Sequence, residues 1–167
     1  MPQAAQPLRR GFSLLELVMV LTIIAILAAI ATPRYANAMA RYRADLAARR
    51  IAADLQLAQR IARTESRSRT VQFDMEHCRY ELINVSNPDQ PQKPYLVNLT
   101  DSPYRASQLK IQATQHNRGG NNKTATKLKI TFNGFGMPDD QYTIAVQSGA
   151  ITRTVIVHAD TGATSIR

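Results

Sequence analysis

The stretch FSLLELVMVLTIIAILAAIA, residues 12–31, decides how the N-terminal part of the chain folds. It is apolar apart from three residues, Ser13, Glu16 and Thr22. About 20 such residues span the hydrocarbon core of a bilayer as a helix. Arg9 and Arg10 stand immediately before it, and by the positive-inside rule they hold that end in the cytoplasm. The stretch therefore predicts one membrane-inserted helix with a cytoplasmic N-terminus.

Glu16 is the residue that a simple membrane anchor does not explain. A charge at the centre of a membrane helix costs about 2.5–3.5 kcal/mol on insertion scales, and less near the interface. A cleaved signal peptide is an alternative, because residues 29–31 read Ala-Ile-Ala, as small-residue cleavage sites do. The arginine pair at 9–10 also resembles a twin-arginine export signal. Neither signal favours a carboxylate near the start of the apolar core.

The heptapeptide at 10–16, RGFSLLE, resembles the processing site of type IV pilins and type II secretion pseudopilins. The resemblance implies that a membrane-embedded prepilin peptidase cuts after Gly11 and methylates Phe12, the new N-terminal residue. Glu16 then becomes the fifth mature residue, where this family has a glutamate. It would pair with the Phe12 amine of a neighbouring subunit, which offsets its burial and fixes the axial register of assembly.

The helix is predicted to continue beyond the apolar stretch. Pro33 kinks or locally breaks it, but 34–66 has no Gly or Pro and is rich in good helix formers. A helix from Phe12 to about Ser66 would be roughly 80 Å long. Two apolar stripes share it, on nearly opposite faces. The first contains Tyr35, Met39, Tyr42 and Leu46, and faces neighbours or the transition region. The second packs on the protein's own β-sheet and contains Ala44, Ala47, Ile51, Leu55, Ala58 and Ala62.

Most of the net charge of +9 over 167 residues lies in segment 34–69. Residues 34–69 hold nine arginines against three acids, whereas 70–167 is almost balanced. Three interpretations stay open for the basic face: a solvated surface, binding to anionic lipid or an acidic assembly partner, and binding to nucleic acid. The residues considered for an anion or nucleic-acid contact are Arg49, Arg60, Arg63 and Arg67.

After Arg69 the pattern changes to alternation and β-branched residues, which predicts strands. Ser148-Gly149 is predicted to form a tight hairpin turn, and 87–94 and 117–123 are predicted loops. The predicted strands are Thr70–Met75, Arg79–Val85, Leu109–Thr114, Lys127–Phe132, Thr143–Gln147 and Thr152–His158.

Two segments of this C-terminal part resemble the pseudopilin H / FimT group. One is ITFNGFG at 130–136, similar to the phenylalanine–glycine strand and turn of that group, and the other is VIV at 155–157 with Thr161-Gly162. Members that take up DNA have an arginine-bearing C-terminal tail, whereas this chain ends with one arginine, Arg167.

The sequence offers little for catalysis. The three histidines are well separated, and His77 and Cys78 would point to opposite faces of a strand. Cys78 is therefore expected to be a small core residue. No nucleophile elbow or phosphate-binding loop is present, so we expect neither an enzyme, nor a cofactor, nor a metal site.

Together these features predict an α+β, pilin-like fold: a long N-terminal helix with a protruding apolar half, and a C-terminal antiparallel β-sheet body packed on its second half. The expected divisions are a leader at 1–11, a membrane-spanning half at 12–33, a basic second half at 34–69 and a β-rich body at 70–167. The expected function is a minor pilin or pseudopilin subunit of a type II secretion pseudopilus or type IV pilus. Its partners would be prepilin peptidase, other pilin subunits and the inner membrane, with the body periplasmic or extracytoplasmic. The alternative is a FimT-like, DNA-binding minor pilin in DNA uptake.

Overall fold

The computed structural model of the chain describes residues 12–87, 90–114 and 127–167. Side chains at 111–114 are not among those described. The chain divides into two compact units, with the boundary between Ala36 and Asn37. The leader expected at 1–11 and the loop expected at 117–123 lie outside the described residues.

Helix α1 runs from Leu14 to Glu65, 52 residues that include Pro33. It agrees with the predicted extent to within two residues at the N-terminal end and one at the C-terminal end. Glu16 lies in its first turn, where a carboxylate is favoured by the positive end of the helix dipole. At the other end, Ser66 adopts φ +50° and the Arg67 N–H donates to the Ala62 carbonyl at 3.1 Å. This is a Schellman C-cap, with serine in the position where glycine is usual.

In the described part of the chain, eight strands follow the helix and form two four-stranded antiparallel sheets. The first sheet has the order β3-β2-β1-β5, and the second has the order β4-β6-β7-β8. The strands are β1 Arg69–Asp74, β2 Arg79–Ser86, β3 Pro94–Asn98, β4 Gln108–Thr114, β5 Lys127–Phe132, β6 Gln141–Ser148, β7 Ile151–Val157 and β8 Thr164–Ile166.

The core of the second unit joins one face of α1 to the inner faces of both sheets. All six members of the predicted second stripe are buried, and four of them are alanines that permit close approach. Their partners include Phe73 and Tyr80 from the first sheet and Ile144 and Val155 from the second. The aromatic rings of Phe73 and Tyr80 lie 5.2 Å apart, in a tilted arrangement. The expected packing of the second stripe is therefore confirmed.

All six predicted strands are present, but two further strands were not predicted. β3 begins at Pro94, which has no N–H to donate, and it lies at the edge of its sheet, where proline is tolerated. β8 has only three residues, too few for an alternating pattern to register. The predicted hairpin turn is present as the two-residue loop between Ser148 and Ile151, and Gly149 in it has φ +57°. Cys78 is buried, as expected of a core residue.

Candidate functional site

The apolar segment at the start of α1 buries nothing within its own unit. Its most apolar 18-residue window has a mean hydropathy of 2.8, and none of that window is buried. Leu14 and Leu15 are 80% and 77% exposed. The two threonines satisfy their hydroxyls locally, Thr22 donating to the Val18 carbonyl at 2.8 Å and Thr32 to the Ala28 carbonyl at 2.7 Å. The segment thus has the length and composition of a membrane span, and it presents apolar side chains that need an environment.

The residues expected to take part in processing and assembly lie at the beginning of this segment. Gly11 is outside the described residues, while Phe12 is 78% exposed and Glu16 is exposed. Within the described parts of the chain, Glu16 has no ion-pair partner. A carboxylate in this position is available to a cation from another molecule.

The four arginines considered for anion contact are exposed but differ in what they bind. Arg49, Arg60 and Arg67 form no ion pair with any described carboxylate. Arg63 instead binds the protein's own backbone: its Nε donates to the Phe135 carbonyl at 3.0 Å, and its guanidinium reaches the Thr161 carbonyl at 3.4 Å. The structure therefore brings Arg63 into the body and leaves the other three at the surface.

Gln59, one helical turn before Arg63, binds the same two turns. Its side-chain amide donates to the Gly136 carbonyl and to the Thr161 carbonyl, both at 2.9 Å. Gly136 has φ +75° and Gly162 has φ +67°, and a Cβ at either position would overlap the Arg63 or the Gln59 side chain. The two segments that resembled the pseudopilin H / FimT group thus meet on one turn of α1.

The turn after β5 is also held by hydrogen bonds between its own residues. The Asn133 carboxamide oxygen accepts the backbone N–H groups of Phe135 and Met137, each at 3.0 Å. Gly134 lies against the backbone of Ser66, where a Cβ would come within 2.9 Å of the carbonyl. Phe135, at the tip of this fixed turn, is 82% exposed.

A buried polar cluster lies between α1 and the first sheet. Asp54 is 4% exposed and accepts the hydroxyl of Tyr80 at 2.5 Å and that of Tyr95 at 2.8 Å. Arg50 completes the cluster, with Nε 3.0 Å from the Asp54 carboxylate and its guanidinium donating to the Tyr95 hydroxyl at 2.8 Å. Every polar group of the cluster is thereby hydrogen-bonded, which is the condition for burying a carboxylate.

The cluster changes how its members titrate. Burial raises the pKa of Tyr95 to about 12, and the hydrogen bond to Asp54 and its charge add to the rise. Burial and the same carboxylate raise the pKa of Tyr80 well above its ordinary value. Burial opposes the charge of Arg50, yet attraction by Asp54 leaves the pKa of that guanidinium above its ordinary value. The phenols are therefore held neutral and the guanidinium charged.

The sequence pattern did not single out Asp54, Gln59 or Asn133. Asp54 is one of three acids among nine arginines, but it lies three residues after Ile51 and therefore on the apolar stripe. A carboxylate inside an apolar stripe was the available signal. Gln59 and Asn133 give no comparable signal. Gln59 binds backbone carbonyls that are distant in the sequence, and Asn133 binds backbone N–H groups within its own turn.

No group of three or more His, Cys, Asp or Glu side chains in the described part of the chain is placed to hold a metal ion. His77 lies instead beside Asp74, with Nδ1 2.9 Å from its carboxylate. Arg79 binds the same carboxylate, and this arrangement is an ordinary polar contact of the β1–β2 turn.

Comparison with known proteins identifies a motif near the N-terminus and a solved structure with a similar fold. Residues 7–32 match the family model of the prokaryotic N-terminal methylation motif. Among curated proteins, none matches the chain. Two crystal structures of the type IV minor pilin FimU from Pseudomonas aeruginosa (strain PAO1) are similar in fold. The P21 form has a TM-score of 0.51 and 16% identity, over 76% of this chain and 90% of FimU. The P65 form has a TM-score of 0.49 and 15% identity, over 74% and 91%.

These matches confirm the resemblance to prepilin-type proteins at the N-terminus and the α+β fold of a long helix with antiparallel sheets. At 16% identity, the similarity to FimU concerns the fold alone. The apolar helix is consistent with membrane anchoring. The chain thus joins the prokaryotic N-terminal methylation motif to a pilin fold.

Proposed function

We propose that the chain is a minor pilin or pseudopilin subunit, cut after Gly11 by a prepilin peptidase, methylated at Phe12, and assembled with other subunits into a type IV pilus or type II secretion pseudopilus. The observation that supports this most directly is the exposed apolar segment of α1, which follows the processing motif without burying any of its side chains. Before assembly the subunit would lie in the inner membrane, with its N-terminus cytoplasmic and its body periplasmic.

Assembly on this proposal transfers the apolar segment from lipid to neighbouring helices. Glu16 is the one charged residue between Phe12 and Pro33. The amine released at Phe12 is a cation with a reference pKa of about 7.7–8.0. A neighbour's Phe12 amine would neutralise Glu16 and so fix how far each subunit advances along the fibre.

Mass spectrometry of the mature chain tests the processing step. The expected N-terminus is methylated Phe12, and Gly11→Val should leave the leader attached. A mature chain that begins at Thr32 would establish a cleaved export signal instead. Replacing Phe12 with leucine is a suitable control, since it keeps an apolar residue after the cut and should preserve cleavage.

Glu16→Ala tests the assembly step. It should impair incorporation into fibres, because the Phe12 amine of the neighbouring subunit loses its partner. Membrane insertion should stay intact, because the change removes a charge from an apolar span. Glu16→Gln separates charge from size and should behave like Glu16→Ala. Unchanged incorporation of both variants would remove Glu16 from the mechanism.

A second candidate function is DNA binding during uptake, and it draws on the exposure of Arg49, Arg60 and Arg67 without described acidic partners. Clustered cations are what phosphate binding requires. It predicts salt-sensitive binding of duplex DNA that is lost in the triple glutamine variant. Arg63 is better left unchanged in that test, because its loss would disturb the turn at 133–137 and confuse binding with folding.

A further inference from the structure

We propose that the part of α1 that follows the apolar segment, with Arg41, Tyr42 and Arg43, binds the anionic headgroups of phospholipids at the bilayer surface. We call these three residues the juxtamembrane set. The proposal rests on the proposed function, because it takes the apolar segment as a membrane span. It adds a partner that membrane insertion alone does not require.

The charge on this side of the span is larger than orientation explains. Two arginines precede the apolar segment, whereas residues 34–50 contain five arginines and one acid, Asp45. Basic residues within about 15–20 residues of a span act on its orientation and favour the cytoplasmic side. Five arginines on the opposite flank therefore work against the proposed orientation, and an attractive interaction at that surface would account for their presence.

The arginines of the juxtamembrane set are available for such an interaction. Asp45 pairs with Arg153 of β7. Asp54 pairs with Arg50. Those are the carboxylates that α1 presents between Asn37 and Leu55, and both are engaged elsewhere. Arg41 is exposed and Arg43 is half-buried, and neither has an ion-pair partner among the residues that the structure describes.

The tyrosines give a second, independent indication. The dipeptide Arg-Tyr occurs at 34–35 and again at 41–42, just after the apolar segment. Tyr35 is 68% exposed and Tyr42 is 59% exposed, although both are large aromatic residues. Tyrosine is enriched at membrane–water interfaces, where its ring meets the acyl chains and its hydroxyl meets water. Arginine extends an apolar stem with a charged end in the same environment.

Two exposed arginines further along the chain, Arg60 in α1 and Arg67 just after it, lack this combination. Arg60 and Arg67 come 27 and 34 residues after Pro33, beyond the flank that a membrane surface influences, and no tyrosine of α1 accompanies them. Arginine paired with tyrosine next to an apolar span favours a lipid surface over nucleic acid. Phosphatidylglycerol headgroups would supply the negatively charged partner that these arginines do not have among the described residues.

The absence of tryptophan from the sequence makes a direct experiment possible. The full-length chain with Tyr42→Trp is reconstituted into vesicles of phosphatidylcholine, with and without phosphatidylglycerol, including lipids brominated near the headgroup. The expected result is a blue-shifted and more strongly quenched emission when phosphatidylglycerol is present. High salt should abolish the difference between the two kinds of vesicle, because it screens charges at the surface.

Variants in the same background assign the effect. Arg41→Gln with Arg43→Gln should weaken the response to phosphatidylglycerol about 5-fold for each arginine removed. Arg60→Gln with Arg67→Gln is the matched control and should leave the response unchanged. A chain with Phe135→Trp as its one tryptophan should report solvent in both kinds of vesicle, because residue 135 is exposed on the body.

The outcomes separate this proposal from the one it rests on. A chain that fails to float with either kind of vesicle would overturn the membrane span itself. Stable insertion with identical emission in both lipids would overturn the lipid contact and leave the span intact. A shift produced equally by duplex DNA in phosphatidylcholine vesicles would assign the arginines to nucleic acid and also overturn the proposal.

Discussion

Arg63 and Phe135 are 72 residues apart in the sequence and are joined by a hydrogen bond of 3.0 Å, from the Nε of the arginine to the carbonyl of the phenylalanine. Gln59 binds the carbonyls of Gly136 and Thr161. Together, Gln59 and Arg63 connect one turn of α1 to the β5–β6 turn and to the β7–β8 turn. A residue that looks like a free cation in the sequence is therefore a structural contact of the C-terminal body.

Replacing Arg63 should for this reason destabilise the body. We expect Arg63→Ala to lower the free energy of unfolding by about 1–2 kcal/mol, because it removes charge-assisted hydrogen bonds to two carbonyls at a partly solvated site. Arg60→Ala, which removes the same charge from a neighbouring exposed position, should change it by less than about 0.5 kcal/mol. Urea unfolding of the two variants measures the difference. Equal effects would show that Arg63 acts only through its charge.

Two glycines with positive φ provide a second comparison. Gly162→Ala should destabilise the protein by about 2–3 kcal/mol. An alanine backbone is strained at this positive φ, and its Cβ would overlap the Gly136 carbonyl and the Gln59 amide. Gly149→Ala has a similar φ, but its Cβ would lie 3.5 Å from that of Ala40, an ordinary contact. It should cost only about 1 kcal/mol of backbone strain. Thermal unfolding of both variants distinguishes the two contributions, and equal losses would contradict close packing at Gly162.

Much of this fold follows from the sequence, because its patterns are local. The spacing of Ala44, Ile51 and Ala62 defines the buried face of α1, and alternation predicts β5 with its observed bounds. β3 escapes prediction because Pro94 opens it and its pairing with β2 shifts register between Leu82 and Ser86. β8 is stabilised by its pairing with β7 rather than by any pattern of its own.

The contacts around the two turns could not be predicted in the same way. Gly136 and Gly162 each belong to a recognisable motif, but their meeting on Gln59 depends on where two sheets place them. Asp54 is different, since its position on an apolar stripe already indicates burial. What the sequence does not provide is its partners, Tyr80 and Tyr95, which come from neighbouring strands 26 and 41 residues later.

Removing the Asp54 carboxylate should be strongly destabilising. Asp54→Ala leaves the buried hydroxyls of Tyr80 and Tyr95 without their acceptor and Arg50 without its counter-charge. We expect a loss of about 2–4 kcal/mol in the free energy of unfolding. Asp45→Ala is the matched control, because the side chains of Asp45 and Arg153 are 41% and 35% exposed. Breaking that exposed pair should cost less than about 1 kcal/mol. Comparable losses in urea unfolding would mean that burial of Asp54 contributes nothing beyond its ion pair.

The same cluster predicts how stability depends on alkaline pH. The folded protein raises the pKa of Tyr95 from its ordinary value near 10 to about 12, and that of Tyr80 rises as well. Because the folded state favours the neutral phenols, this stabilisation is fully present below pH of about 10 and is lost as the pH rises through the folded values. The free energy of unfolding should therefore fall between pH of about 10 and 12, as measured by urea unfolding at each pH. Tyr95→Phe should lower the free energy of unfolding at neutral pH, and that free energy should then fall less across this pH interval than it does in the unmodified chain. Tyr35→Phe changes an exposed position and should show the same pH dependence as the unmodified chain. An identical alkaline loss in Tyr95→Phe would contradict a neutral, buried Tyr95 hydroxyl bound to Asp54.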